Sequence, residues 1–253
     1  MKSIKYLAYS FALVVALASC SKDDEVKPEN DLEQAELSFS AENPPIEIPT
    51  ALQNSDNEYA VQISGWLSAI NVNLAEQVKN IPEGAEVSTT PITAKSTGGR
   101  IAATAENVLV YTWSYGGQGQ SITIAYQVSE SDDKYKFDIF YDFDGEGYIH
   151  YVHAEEYKNR KEGFIDYLFG GDTYVLRYQW KQDADGTFYF DFLAEEFMGY
   201  RVSVVVNPDQ SGTIEYFIEG ELNVKATWNS TGTSGSWIYY EDGEVSETFT
   251  WES

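Results

Sequence analysis

Strict alternation, interrupted at intervals by turn residues, is the feature that most limits what this chain can fold into. Tyr135, Phe137, Ile139, Tyr141 and Phe143 fall on one side of an extended backbone, while Lys136, Asp138, Asp142 and Asp144 fall on the other with Phe140 among them. Successive side chains of a strand point to opposite faces, so this is the pattern of a half-buried strand. It returns over 174–180 and 200–206. Between such runs lie Gly116-Gly117, Asp144-Gly145, Gly170-Gly171, Asp185-Gly186 and Asp242-Gly243. Short loops between amphipathic strands make neighbours antiparallel. The expected fold is therefore mainly β: an antiparallel up-and-down meander of about ten to twelve strands over about 107–252. Closure is left open, the alternatives being an open sheet and a partly closed barrel.

A weak internal repeat fits this reading. "DGEGYIHYVHAEEY" (144–157) aligns with "DGTFYFDFLAEEF" (185–197) across one gap, and "SGTIEYFIEGEL" (211–222) and "SGSWIYYEDGEV" (234–245) echo both. Each copy is a turn glycine, an aromatic strand and an acidic exit. Their unequal spacing argues against a regular solenoid and for a repeated hairpin unit.

One segment has a different period. Tyr59, Ile63, Trp66, Leu67, Ile70, Leu74 and Val78 recur every three or four residues, which predicts an amphipathic helix over about 55–81. Ser55 and Glu58 are spaced as a capping box, and Pro82 with Gly84 closes the helix. A single apolar stripe must lie on something, and the sheet is the expected support.

The first nineteen residues have the parts of an export signal: Lys2 and Lys5, an apolar run from Phe11 to Ala18, and small residues at the end. That run is shorter than the roughly 20 residues a spanning helix needs. Leu17-Ala18-Ser19-Cys20 resembles the lipobox of bacterial lipoproteins, and Ser21-Lys22-Asp23-Asp24-Glu25 resembles the acidic tag that sends Bacteroidota lipoproteins to the cell surface. The resemblance covers residues 1–25 only. It implies removal of 1–19, acylation of Cys20, and outer-membrane anchoring, at the surface or, alternatively, on the periplasmic face. Residues 20–54, acidic at first and then carrying Pro44, Pro45 and Pro49, are expected to be a flexible tether to a single β-rich domain over 55–253.

Charge and cysteine content remove several functions. Loss of Lys2 and Lys5 with the leader would take the formal charge from −25 to −27. Such a surface repels nucleic-acid phosphates, so no nucleic-acid partner is expected. Cys20 is the only cysteine, which excludes disulfides and thiolate metal sites in the domain.

No catalytic residues, metal ligands or cofactors are assigned. His150 and His153 are three apart, so regular alternation puts them on opposite faces, unable to share an ion. Glu155-Glu156 and Glu195-Glu196 are adjacent pairs that likewise face apart, and acidic strand ends are their plainer account. Asp183 and Asp185, like Asp142 and Asp144, have the spacing that opens some calcium loops, yet no full loop follows and Asp-Gly is an ordinary turn pair. No nucleophile elbow, phosphate loop or dinucleotide fingerprint occurs. What remains is the aromatic excess, 15% of residues. Trp113, Trp180, Trp228, Trp237 and Tyr239 are the candidate ligand-stacking residues. The functional expectation is a non-enzymatic binding domain for a glycan or protein. A small apolar-ligand carrier with a helical lid is the alternative, and an unrecognised hydrolase the third reading.

Overall fold

The computed structural model describes residues 31–252 apart from 36, 40–43, 77–80, 96–106, 118, 172 and 195–197. The expected leader, Cys20, the acidic tag Ser21–Glu25 and the pair Glu195-Glu196 lie outside these.

Thirteen strands form one antiparallel sheet in chain order: β1 Glu86–Ser88, β2 Val108–Gly117, β3 Gln120–Glu130, β4 Lys134–Phe143, β5 Ile149–Tyr157, β6 Glu162–Tyr167, β7 Leu176–Gln182, β8 Phe188–Ala194, β9 Tyr200–Val206, β10 Gly212–Ile218, β11 Glu221–Trp228, β12 Ser234–Glu241 and β13 Glu244–Glu252. The meander is as expected, with the short edge strand β1 added. It is an open sheet: β1 and β13 each pair on one side only, so the partly closed barrel does not form.

The two faces differ in chemistry. The inner face holds Leu109, Val128, Phe137, Ala154, Ile165, Trp180, Phe190, Val204, Ile214, Ala226, Trp237 and Trp251, all buried in one core. Against it pack the helices α1, Thr50–Gln53, and α2, Glu58–Glu76. Ala60, Ile63, Leu67 and Ile70 form the buried stripe of α2, with Tyr59 and Trp66 on Trp237. The helix starts two residues later than the capping box implies, because Asn57 is the cap. Its Oδ1 accepts the backbone N–H groups of Tyr59 and Ala60 at 3.0 and 3.2 Å. No helix among the described residues is long and apolar enough to cross a membrane.

The expected tether is corrected over its described part. Leu32, Phe39, Ile46 and Leu52 are all core residues. Phe39 meets the rings of Trp180 and Phe188, Ser38 N–H donates to Glu156 at 2.7 Å, and Asn71 holds Ile46 through both its backbone N–H and its carbonyl. The prolines do exclude regular structure, but an irregular strap can still bury its apolar side chains.

Glycine lets the large indoles lie flat at the lower end of this face. Gly163 opposes Trp180, Gly212 opposes Trp228, and Gly235 opposes Trp251 across neighbouring strands. A Cβ at any of the three would run into that indole ring.

Candidate functional site

The upper end of the inner face, where β4, β8 and β10 finish, carries a chain of rings. Phe143 stacks on Tyr141, which meets Tyr151 at 4.8 Å; Tyr151 meets Phe169 at 4.9 Å, and Tyr167 lies 6.1 Å from Phe169. The series continues through Tyr178, Phe192, Tyr200 and Tyr216 to Trp66 of α2. Cross-strand register produces it, since Ile165, Tyr178, Phe192, Val202 and Tyr216 occupy one transverse row. Tyr115, Phe143 and Phe169 are 57, 41 and 46 % exposed, while the tyrosines between them are half-buried. Burial pushes the hydroxyls of Tyr141, Tyr167 and Tyr178 upward, so all three stay protonated donors.

Phe169 is the unusual member. Its φ is 48°, in the left-handed region that disfavours a bulky side chain, and yet nearly half of its surface stays in solvent. Leu168 N–H and Gly170 N–H both donate to carbonyls of β5, and these bonds hold the turn in place.

The expected stacking residues fare differently. Trp180, Trp228 and Trp237 are 3, 3 and 2 % exposed, so they are core residues and offer no ring to a ligand. Trp113 and Tyr239 are half-buried on the inner face, packed against the core. Tryptophan was the misleading signal: Trp180 and Trp228 lie against glycines of neighbouring strands, Trp237 lies under Tyr59 and Trp66, and the exposed platforms are Tyr and Phe.

The outer face has a small buried apolar cluster over β2 to β4, made by Val108, Val110, Ala125 and Phe140, and is polar and cross-linked beyond it. Asp166 and Arg177 form a two-pronged pair at 2.5 and 2.6 Å, with the guanidinium over Phe164 and Tyr174. Asp191 receives Arg201, Ser203 and Gln179; Lys225 reaches Glu215 at 2.8 Å.

A buried polar cluster on this face is centred on Asp138. Its Oδ1 accepts from His150 Nε2 and His153 Nδ1, each at 2.8 Å. The expectation that these histidines point apart is wrong. A β-bulge leaves Tyr151 without a partner on β4, so Val152 pairs with Ile139 but His150 pairs with Phe140. That extra residue brings both imidazoles onto the outer face. His153 Nε2 lies 3.4 Å from Glu155, which Lys134 holds at 2.8 Å. His150 stacks on Phe140 at 4.7 Å, and its Nδ1 is buried with no hydrogen-bond partner among the described residues.

Burial works against charge here, and hydrogen bonding overrides it. Desolvation would raise the Asp138 carboxyl, but the two imidazole donors hold it at about 2. Desolvation would lower His153, but Asp138 and Glu155 on its two nitrogens lift it to about 9. Glu155 is held at about 2, chiefly by His153 and also by Lys134. The cluster is thus an imidazolium between two carboxylates. Asp138, His150 and His153 are the one group among the described residues whose ligand atoms converge as a metal's would.

No protein-family model matches the chain, and no curated protein matches it. Function must be argued from these two faces.

The remaining sequence candidates are structural. Glu155 and Glu156 face opposite sides, and Glu156 is buried on the inner face, receiving Ser38 N–H and Trp180 Nε1. Asp185 caps its own turn through Thr187 N–H, Asp183 pairs with Lys181, and Asp142 and Asp144 accept the N–H groups of Gly147 and Ser121. Each of these four aspartates already closes a turn or an exposed pair.

Proposed function

We propose that this is a lipid-anchored surface protein, held at the outer membrane through acylated Cys20, whose inner sheet face binds a neutral glycan along the ring series from Tyr115 and Phe143 to Phe169. The anchor rests on the lipobox-like Leu17–Cys20 and the acidic tag. The binding face rests on one observation above all: Phe169 keeps an exposed ring on a backbone conformation that disfavours it. Local strain of this kind gathers at functional sites.

Chemistry narrows the ligand. Tyrosine offers a flat apolar body with a hydroxyl at its tip, which suits a sugar's apolar ring face and its hydroxyl groups. A formal charge of −25 disfavours anionic polysaccharides. The carrier reading loses support, because the open sheet encloses no lumen and the apolar side of α2 is already buried in the core.

The test is electrophoresis through gels containing soluble neutral polysaccharides. Retardation by at least one of them is expected, lost when Tyr115→Ala and Phe169→Ala are combined. Equal mobility in every gel, or retardation that survives the double substitution, would overturn the binding reading. The anchor is tested separately: Cys20→Ser should leave the chain unacylated and free of the membrane fraction.

A further inference from the structure

We propose that Asp138, His150 and His153 are the protein ligands of a divalent transition-metal ion of the Zn2+ type, on the sheet face opposite the ring series. Two imidazole nitrogens and a carboxylate oxygen suit zinc and its first-row neighbours, whereas calcium and magnesium favour all-oxygen shells. Three protein ligands leave one position of a tetrahedral shell for water or an incoming group.

Four features of the structure favour an ion here. The donors are placed by a bulge, a device that re-aims side chains and here turns His150 to the same face as His153. Asp138 Oδ1 already points between the two nitrogens, at 2.8 Å from each. Metal–ligand bonds of about 2.0–2.1 Å need those donors only about half an ångström further apart. Finally, Glu155 faces the second nitrogen of His153 at 3.4 Å, which is the carboxylate–histidine arrangement that orients metal-bound imidazoles.

The proton balance is simple. The ion replaces the two N–H protons directed at Asp138. His153 releases one to solvent and keeps Nε2–H toward Glu155. His150 moves its proton from Nε2 to Nδ1, the nitrogen now buried without a partner among the described residues. His153 is one-quarter exposed, so the ion enters from the outer face. Once bound, it ties β4 to β5 at the point where the bulge interrupts their ladder.

The experiment uses the purified full chain, stripped with a chelator and titrated with Zn2+ by calorimetry. Imidazole 15N spectra are recorded alongside. Two histidines make up the chain's whole complement, so each signal is assignable. One equivalent should bind, shifting Nε2 of His150 and Nδ1 of His153. Glu155→Gln should weaken affinity by about 10–100-fold, as expected for an outer hydrogen-bond partner. Unchanged histidine shifts at saturating Zn2+ would overturn the proposal, even if heat of binding is seen. So would wild-type affinity in His150→Gln. Should that variant fail to fold, the wild-type spectra decide.

Discussion

His150 and His153, three residues apart on one strand, donate to the same oxygen of Asp138 at 2.8 Å each. Regular alternation forbids this, and the unpaired Tyr151 permits it. Asp138→Ala removes the acceptor from buried His150 and from partly buried, cationic His153. In metal-free buffer it should lower unfolding free energy by about 3 kcal/mol, the scale for a broken buried pair. Asp183→Ala breaks only an exposed pair with Lys181, for which about 0–1 kcal/mol is expected. Urea denaturation of both variants checks the contrast, and similar losses would mean the Asp138 cluster is no more than a surface network.

Gly212→Ala tests the role assigned to the opposed indoles. The added methyl meets Trp228 and the Val205 carbonyl, and Trp228 is pinned by its own hydrogen bond to Gln210 O at 2.7 Å. Overpacking of this kind costs about 1–3 kcal/mol. Gly117→Ala, where a Cβ meets nothing within 4 Å, should be close to neutral. Thermal melts of the two proteins separate them.

Much of the architecture was legible because period two is robust: an error at one residue leaves the others in place. Tyr135 to Phe143 has the faces its pattern implies, and the turn pairs do separate the strands. The polar cluster was not legible, for the converse reason. Parity arguments fail beyond a bulge, and neither Gly nor Pro marks the one at Tyr151. The tryptophans misled differently. Composition says that an indole is large and amphipathic, but only the register reveals Gly212 opposite Trp228 and Gly235 opposite Trp251. The described part of the strap before α1 was hidden because Leu32, Phe39 and Ile46 mark neither a continuous helical stripe nor a strand alternation, each being placed singly into the core.

Glu156 gives the chain a pH signature independent of the histidines. Burial raises its carboxyl above the usual range, even though Ser38 and Trp180 donate to it. A carboxyl raised in the folded state favours folding below its unfolded value of about 4.5, and that contribution is lost as pH rises through the folded value. The wild type should therefore lose stability relative to Glu156→Gln between pH 4 and 7, with the difference flat below about 4. Paired melts across that range decide it. The opposite slope would mean that Ser38, Trp180 and the nearby Lys161 outweigh burial.

Phe39 distinguishes a packed strap from a loose tether. It is buried, edge-on to both Trp180 and Phe188. Phe39→Ala should cost about 3–5 kcal/mol if the strap is part of the cooperative unit. A loss below about 1 kcal/mol would show that residues before α1 detach without unfolding the sheet.

Phe169 allows stability and binding to be separated at one position. Its φ of 48° is one that glycine adopts freely, and for other residues it costs about 1–2 kcal/mol. Replacing it with glycine removes that strain but also removes ring contacts with Tyr151 and Tyr167, which are worth about 0.5–1.5 kcal/mol each. The two effects are opposed and similar, so Phe169→Gly should melt within a few degrees of wild type. Its retardation by a neutral polysaccharide should nonetheless fall at least as far as that of Phe169→Ala. That outcome would give ring and backbone distinct roles, the turn tolerating the strain because the chain around it is fixed and the ring serving the proposed ligand. A large rise in melting temperature with retardation unchanged would assign Phe169 no function and leave its conformation an unrelieved strain.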